Sequence, residues 1–511
     1  MKVISDVNDG GFLKRINPGM LLIIGLFIIG IVLRIWQYAA NRSLWLDEAK
    51  LALNILHSSF AALTQPLDYD QSAPLLFLFI QKTIIIVLGN SEFALRLFPL
   101  VAGILSLFLM YKAVKKYLRG TSVYIAMALV CLSSALIYYS SENKQYASDA
   151  LFTLVLLLAV FPCLQDGAKP KSYILLTAAG LIAIWMSHPA VFVLAGIGIV
   201  LIILPLLKKD WKNILWPFLI CLFWLMNLAF LYLFSLRSTA ANKALNPYWK
   251  ISFMPILPWN NWGWFGTFFE GILQHFDLPF IAVSAVLLLV GCISIFLRNW
   301  RSGLVLILPT VAAMLASGLR LYPFRGRLLI FLLPIVFFFI AEGIERIRGT
   351  LANYNRFVAS FIGAALALLL LAQPVVIAID GLKNPNMREH IRPIVEYVSH
   401  NKRAADVVYI YYGAKPAFLY YAPFYGFKDS DYKVGVMARS EPEKYLKDID
   451  TLRSNERVWF VFSHVIGNGK INEEQYYIIR LNEIGRKIDE FSTPGAIVYL
   501  YDLKGRSTKL R

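Results

Sequence analysis

A chain of 511 residues that is 58% hydrophobic and only 16% charged lies well below the charged fraction of soluble domains. Its formal charge of +18 is spread over short connections between apolar runs, which excludes a nucleic-acid-binding face and points to membrane topology and anionic lipid. The four cysteines, Cys131, Cys163, Cys221 and Cys292, sit in or beside apolar runs with neither disulfide nor metal-ligand spacing.

Apolar runs long enough to cross a bilayer core of about 30 Å recur along the first three quarters of the chain. Their contiguity speaks for helices rather than a barrel, which would alternate with period two. A short polar lead carrying Lys14 and Arg15 precedes the first run, Met20–Tyr38, which has no cleavage site after it and reads as a retained span. With that lead cytoplasmic, Phe93–Tyr111 returns to Lys112, Lys115, Lys116 and Arg119. Val123–Tyr139 goes out, and Ala147–Cys163 comes back to Lys169 and Lys171. Tyr173–Ser187 goes out, and Ala190–Leu207 returns to Lys208, Lys209 and Lys212. Ile214–Phe234 leads to a long outer loop, and Leu278–Leu297 returns to Arg298 and Arg301. Leu304–Gly318 goes out, Leu328–Ala341 returns to Arg346, Arg348 and Arg356, and Phe357–Ile379 goes out last. Basic residues thus mark alternate connections, as the positive-inside rule requires.

The alternation holds only if Pro74–Gly89, apolar but interrupted by Gln81 and Lys82, lies in the outer interface, which leaves about 11 spans. A short true span is the alternative there. The long outer loop, Ser235–Phe276, carries Tyr248, Trp249, Trp259, Trp262, Trp264, Phe265, Phe268 and Phe269. Such rings suit an interfacial belt or the wall of a lipid or sugar groove.

Composition changes near residue 380. Residues 1–380 read as a transmembrane catalytic domain and 381–511 as a soluble, extracytoplasmic α/β domain. Helical pattern over Met387–His400 is followed by a strand at Val407–Tyr412, a short helix at Pro416–Tyr421 and a strand at Val434–Met437. A helix at Pro442–Arg453, a strand at Val458–Phe462, a helix at Glu473–Ile484 and a strand at Ala496–Leu503 complete it. Neither a glycine-rich phosphate loop nor a nucleophile elbow occurs in it, so an accessory or acceptor-contacting role is expected.

A charge at the centre of a helix in lipid costs about 2.5–3.5 kcal/mol on insertion scales. The unusual polar residues gather instead at the expected outward ends of the spans. They are Asp47 and Glu48 within Ser43–Ala49; the stretch Ser140–Asp149, with Glu142, Lys144, Tyr146 and Asp149; His188 before Pro189; and Arg320, Arg325 and Arg327 around Tyr322. Each also has a plainer use. Asp47 and Glu48 suit the N-terminal dipole of the helix that follows. Asp149 could pair with Lys144 or cap its span, His188 could simply end a helix, and the arginines could snorkel to lipid phosphate. Glu92 and Arg96, four apart, are expected to pair along one helix.

The motif Leu44-Trp45-Leu46-Asp47-Glu48-Ala49 after a first span, with Asp70-Gln71-Ser72-Ala73-Pro74 and Ser91-Glu92-Phe93-Ala94-Leu95-Arg96 after it, resembles the GT-C membrane glycosyltransferases. The branch is that of the protein O-mannosyltransferases and the bacterial lipid A aminoarabinose transferase, and the resemblance covers roughly residues 15–350. It implies a polyprenyl-phosphate sugar donor and transfer to an acceptor outside the cytoplasmic (inner) membrane, generally with inversion. By the resemblance Asp47 matches the catalytic acidic residue of the first outer loop, and Asp149 a second acidic position. His188 falls where the aminoarabinose transferase has a lysine. That enzyme also has a lysine before the proline opening the interfacial helix, where this chain reads Gln71-Ser72-Ala73-Pro74, a departure consistent with a different sugar.

The resulting expectation is a glycosyltransferase in which Asp47, aided by Glu48, removes the acceptor's proton. Asp149, Glu142, Lys144, Tyr146 and His188 would contact substrate, and Arg320, Arg325 and Arg327 the donor phosphate. Glu48, about 100° further round the helix than Asp47, should matter less. Asp47, Glu48, Glu142 and Asp149 are oxygen ligands of the type a divalent cation takes; no other cofactor is implied. The rival from another class is a lipid or oligosaccharide transporter, which would place polar groups and related halves about the midplane.

Overall fold

The structure is a computed structural model and describes residues 17–211, 214–236, 249–256, 261–439, 441–467 and 473–504. Lys14, Arg15, Lys212, Tyr248 and Trp259, used above, lie outside the described residues. Contacts divide the chain into two compact units. One comprises residues 1–39, 73–80 and 96–385, and the other residues 40–72, 81–95 and 386–511. Composition places a change near residue 380, but the second unit also recruits two segments from the first hundred residues.

Among the described residues nine helices are long and apolar enough to cross a membrane: Pro18–Ala39, Glu92–Tyr117, Tyr146–Leu164, Ala190–Leu207, Leu215–Ser235, Ile281–Arg298, Trp300–Gly318, Gly326–Ala352 and Arg356–Lys383. Leu75–Leu88, Ser122–Leu132 and Pro170–Met186 are apolar but shorter. Leu75–Leu88 has 14 residues, a rise of about 21 Å that falls short of a bilayer core.

The run expected as one span over Val123–Tyr139 is broken into Ser122–Leu132 and Ser134–Tyr139. Backbone groups on both sides of the break find side-chain partners, as lipid demands. Arg34, buried within the first helix, donates to the carbonyl oxygens of Val130 at 3.0 Å and Gly30 at 2.9 Å. On the other side of the break, the Asp277 carboxylate accepts the Ser134 N–H at 2.9 Å, and Ser133 Oγ accepts that of Leu136. A cation thus meets helix carbonyls and an anion meets helix amides, each the sign the dipole favours.

Small residues set the tightest helix packing in this unit. A Cβ on Gly291 would lie 1.7 Å from the Phe339 carbonyl oxygen, and one on Gly343 would lie 2.1 Å from that of Leu287. Helices Ile281–Arg298 and Leu333–Ala352 therefore touch backbone to backbone, the arrangement that small residues permit between membrane helices. Several of the expected cytoplasmic cations are held by ion pairs. Arg298 meets Glu342 at 2.6 Å, and Arg301 and Lys208 share Asp166 at 3.1 and 2.5 Å.

The second unit contains a five-stranded sheet in the order β2-β1-β3-β5-β4. The strands are β1, Val407–Ile410; β2, Tyr432–Val434; β3, Val458–Ser463; β4, Arg486–Thr493; and β5, Ala496–Asp502. β1 pairs parallel with both β2 and β3, and β5 runs antiparallel to β3 and β4. Helices Arg392–Asn401, Lys415–Tyr421, Glu443–Asp450 and Glu473–Ile484 alternate with the strands. β3 is buried along its whole length, which explains its continuous Val-Trp-Phe-Val-Phe run. β4 escapes sequence reading because it is a polar edge strand, exposed or half-buried throughout, with no apolar alternation to mark it. The strand expected at Val434–Met437 forms two residues earlier, at Tyr432–Val434.

Candidate active site

In the second unit the helix Leu46–His57 begins at the acidic motif. Its two carboxylates are separated in environment. Glu48 is fully buried and lies 3.6 Å from the buried guanidinium of Arg42. Asp47, one residue earlier and about 100° round the helix, is only partly buried. The structure thus gives Glu48 a packing partner inside the unit and leaves Asp47 the more accessible of the pair. The other end of this helix is tied by Lys82, whose Nζ donates to the carbonyl oxygens of Ile55 at 2.9 Å and Leu56 at 3.0 Å. Gln81 donates to the Leu95 carbonyl at 2.6 Å. The polar interruptions of the Pro74–Gly89 run are therefore backbone-satisfying groups.

The loop leading into the helix is held by residues that follow from no sequence motif. Ser43 N–H and Oγ meet His390 Nδ1 at 3.2 and 3.0 Å, and Ser43 Oγ accepts the Arg392 N–H at 2.9 Å. Tyr421 Oη accepts the Leu44 N–H at 2.8 Å and donates to Glu92 at 2.9 Å. Glu92, expected to pair with Arg96, meets Arg392 at 2.6 Å, across 300 residues of sequence. The Arg388 guanidinium lies 4.6 Å from the centre of the Trp45 ring, a cation–π distance.

In the first unit the stretch Ser140–Asp149 is buried at every position. It turns between Ser134–Tyr139 and Tyr146–Val160, with Ser140 and Ser141 hydroxyls returned to the carbonyls of Leu136 and Tyr138. Burying ten consecutive polar-rich residues is costly unless their polar groups are hydrogen-bonded and their charges paired. Asp149, on the first turn of its helix, neighbours the Ser187 hydroxyl and the Tyr322 ring. Tyr322 donates to the Leu328 carbonyl at 2.8 Å and packs edge-on against Phe192. Arg327 stands 5.7 Å from the centre of the Tyr146 ring. Burial pushes the Tyr322 hydroxyl pKa well up, with Asp149 and Tyr146 adding to it. His188 is half-buried as a residue, but its Nε2 is sealed off; this desolvation pushes the imidazole down to about 4, leaving it neutral at pH 7.

The three arginines separate. Arg327 is half-buried in the Tyr146–Asp149–Tyr322 neighbourhood, whereas Arg325 is exposed and reaches Ser252 Oγ at 3.5 Å. Arg320 is exposed, in the left-handed backbone region at φ 59°, and lines a cavity of about 570 Å³ with Lys250, Met254, Asn261 and Trp264. Among the described residues no group of three or more His, Cys, Asp or Glu is positioned to hold a metal ion. Sequence patterning marks neither Tyr322 nor Ser187 as a site residue, although Tyr322 lies inside the arginine-rich stretch and Ser187 beside His188.

A family profile described as dolichyl-phosphate-mannose-protein mannosyltransferase matches residues 72–234. Among proteins of curated function, none matches the chain in sequence. In structure the chain is similar to apo ArnT from Cupriavidus metallidurans, with a TM-score of 0.54 at 11% identity over 93% of this chain and 97% of that one. It is also similar to the same protein bound to undecaprenyl phosphate, with a TM-score of 0.51 at 12% identity over 94% and 97%. The Archaeoglobus fulgidus oligosaccharyltransferase in complex with Zn and sulfate gives 0.53 at 13% identity over 94% of this chain and 72% of that one. The chain therefore has the GT-C membrane fold with a C-terminal α/β domain and resembles the O-mannosyltransferases and ArnT.

Proposed function

We propose that this protein is an integral-membrane glycosyltransferase that moves a hexose or pentose from a polyprenyl-phosphate carrier to an extracytoplasmic acceptor. The observation that carries the reading is the family match over residues 72–234, set within a GT-C fold that spans 93% of the chain. The capture of a structural neighbour with undecaprenyl phosphate supports a polyprenyl carrier. The acceptor is a glycolipid, polysaccharide or protein. The inner membrane, with residues 381–511 extracytoplasmic, is the location consistent with such a donor.

In this reading the acceptor's hydroxyl or amine attacks the anomeric carbon, and Asp47 takes its proton. Such a transfer requires approach to about 2.6–3.2 Å. The new bond forms as the bond from the anomeric carbon to the phosphate oxygen breaks, and polyprenyl phosphate leaves. A single displacement inverts the anomeric carbon. The departing phosphate gains negative charge, and Arg327, with planar paired donors, is suited to meet it. Asp149, Tyr146, Tyr322 and His188 form the neutral and acidic neighbourhood on Arg327's unit that would contact sugar hydroxyls. Chelation followed by readdition of Mg²⁺ or Mn²⁺ tests whether a divalent cation takes part.

The test is release of polyprenyl phosphate by the purified full chain from a panel of polyprenyl-phosphate hexoses and pentoses, together with mass spectrometry of co-purifying lipids. Sugar-dependent release that Asp47→Asn slows by about 10²–10⁴-fold is the expected result. Failure to turn over or retain any lipid-linked sugar, with vesicles instead showing flux of a lipid or oligosaccharide, would overturn it in favour of a transporter.

A further inference from the structure

The helix that carries Asp47 does not cap itself. Trp45 occupies its N-cap position and supplies no side-chain acceptor, so the first N–H groups need a partner from elsewhere. The Leu46 N–H is taken at 3.0 Å by Glu389 Oε2, from 343 residues further along the chain. The other carboxylate oxygen of Glu389 lies 2.7 Å from His464 Nδ1. Glu389 is mostly buried, and His464, directly after β3, is held in the left-handed region at φ 52°. An unusual backbone conformation thus aims the imidazole at the carboxylate that caps the helix.

The sheet topology gives this arrangement a reason. β1 lies between β2 and β3, so the chain crosses from one side of β1 to the other after β2. That is a topological switch point, where open α/β sheets receive ligands beyond the carboxyl ends of their strands. Here the residues that follow those ends serve the chain's own acidic loop. Tyr421, on the helix after β1, accepts the Leu44 N–H, and His464, after β3, orients the carboxylate that accepts the Leu46 N–H. The neighbours of Glu389 add to this: Arg388 covers Trp45, and His390 and Arg392 hold Ser43.

We infer that Glu389, oriented by His464, is a positioning residue that fixes the start of the Asp47 helix and so aims the proposed base. The inference rests on the reading of Asp47 given above. Asp47 directly follows the capped residue, so a change in how the helix begins displaces its carboxylate. A misplacement of about 1 Å can cost about 10²-fold in rate. Glu389 itself touches no reacting atom.

The experiment is a double-mutant cycle on the purified full chain, with a polyprenyl-phosphate sugar that the wild type turns over. Glu389→Ala is expected to lower kcat about 10–100-fold with little change in KM for the donor. In the Asp47→Asn background it is expected to have almost no further effect, because there is no base left to aim. Glu389→Gln, which keeps an acceptor for the Leu46 N–H, should recover much of the rate. An equal loss in both backgrounds would show a merely structural contact and overturn the inference, as would normal kcat in Glu389→Ala beside an impaired Asp47→Asn. Normal turnover in Asp47→Asn overturns the base assignment itself, and the positioning role with it. If Glu389→Ala does not fold, His464→Ala, which leaves the capping carboxylate in place but unoriented, carries the same cycle.

Discussion

Arg42 and Glu48 form an ion pair at 3.6 Å, with both side chains almost wholly buried. Removing one member of a buried pair strands the other charge at a cost of about 3–5 kcal/mol. Glu48→Gln is therefore expected to lower the thermal unfolding midpoint of the detergent-solubilised protein strongly. Asp47→Asn, at a more accessible carboxylate, is expected to leave that midpoint nearly unchanged and to lose about 10²–10⁴-fold in turnover, the usual worth of a general base. A thermal shift in Asp47→Asn as large as that of Glu48→Gln would contradict this division of roles.

Arg325 and Arg327, at the start of the 3-10 helix Gly326–Leu332, should differ. Arg327 stands over the Tyr146 ring, whereas Arg325 is exposed and makes one long contact to Ser252. Arg327→Ala is expected to raise KM for the lipid-linked donor by about tenfold or more, the equivalent of one charge-assisted hydrogen bond. Arg325→Ala should change it less. Steady-state kinetics at limiting donor decide between them, and equal, small effects would remove Arg327 from phosphate binding.

His188 predicts an acid limb. Its imidazole, neutral down to about pH 4 in the folded protein, titrates near its ordinary 6.5 once unfolded. Between those values the unfolded chain binds more protons, so stability rises with pH there. The contribution is complete above about pH 6.5 and is lost as pH falls towards 4. His188→Gln should flatten the pH dependence of the unfolding midpoint over this window, as differential scanning fluorimetry at pH 4.5, 5.5 and 7 would report.

Gly291 and Gly343 face neighbouring backbone so closely that any side chain must separate two helices. Overpacking of this kind costs about 1–3 kcal/mol even where neighbours can shift, and here the obstructing atoms are carbonyl groups. Gly291→Leu is expected to abolish a monodisperse peak in size-exclusion chromatography, and Gly291→Ala to lower the unfolding midpoint. Gly266→Ala, with open space around its Cβ, is the control and should behave as wild type.

Reporter fusions after Arg119, Lys171 and Arg301 should read as cytoplasmic, and a fusion after Asp380 as extracytoplasmic. The basic residues of these connections and the shortness of Leu75–Leu88 are the grounds. A cytoplasmic signal after Asp380 would mean that Leu75–Leu88, or another of the shorter helices, has been given the wrong side.

The sequence by itself determines the solvent of this fold. Contiguous apolar runs of this length are stabilised in lipid, and there a contiguous run satisfies its own backbone as a helix, so runs such as Ala190–Leu207 are legible without coordinates. The acidic motif at residues 47–48 and the polar stretch at 140–149 are legible for the same reason, since polar groups beside lipid stand out against a uniform background. What only the tertiary structure decides is which polar groups serve each other. The separation of Asp47 from Glu48 depends on Arg42 folding back over one of them. The capping of Leu46 depends on a carboxylate 343 residues away. The break at Ser133 is sealed by Arg34 and Asp277, 243 residues apart in sequence. Local patterning records the environment of each residue, but a hydrogen bond is a short-range, directional relation between two atoms. Chain folding, not sequence distance, brings those atoms together.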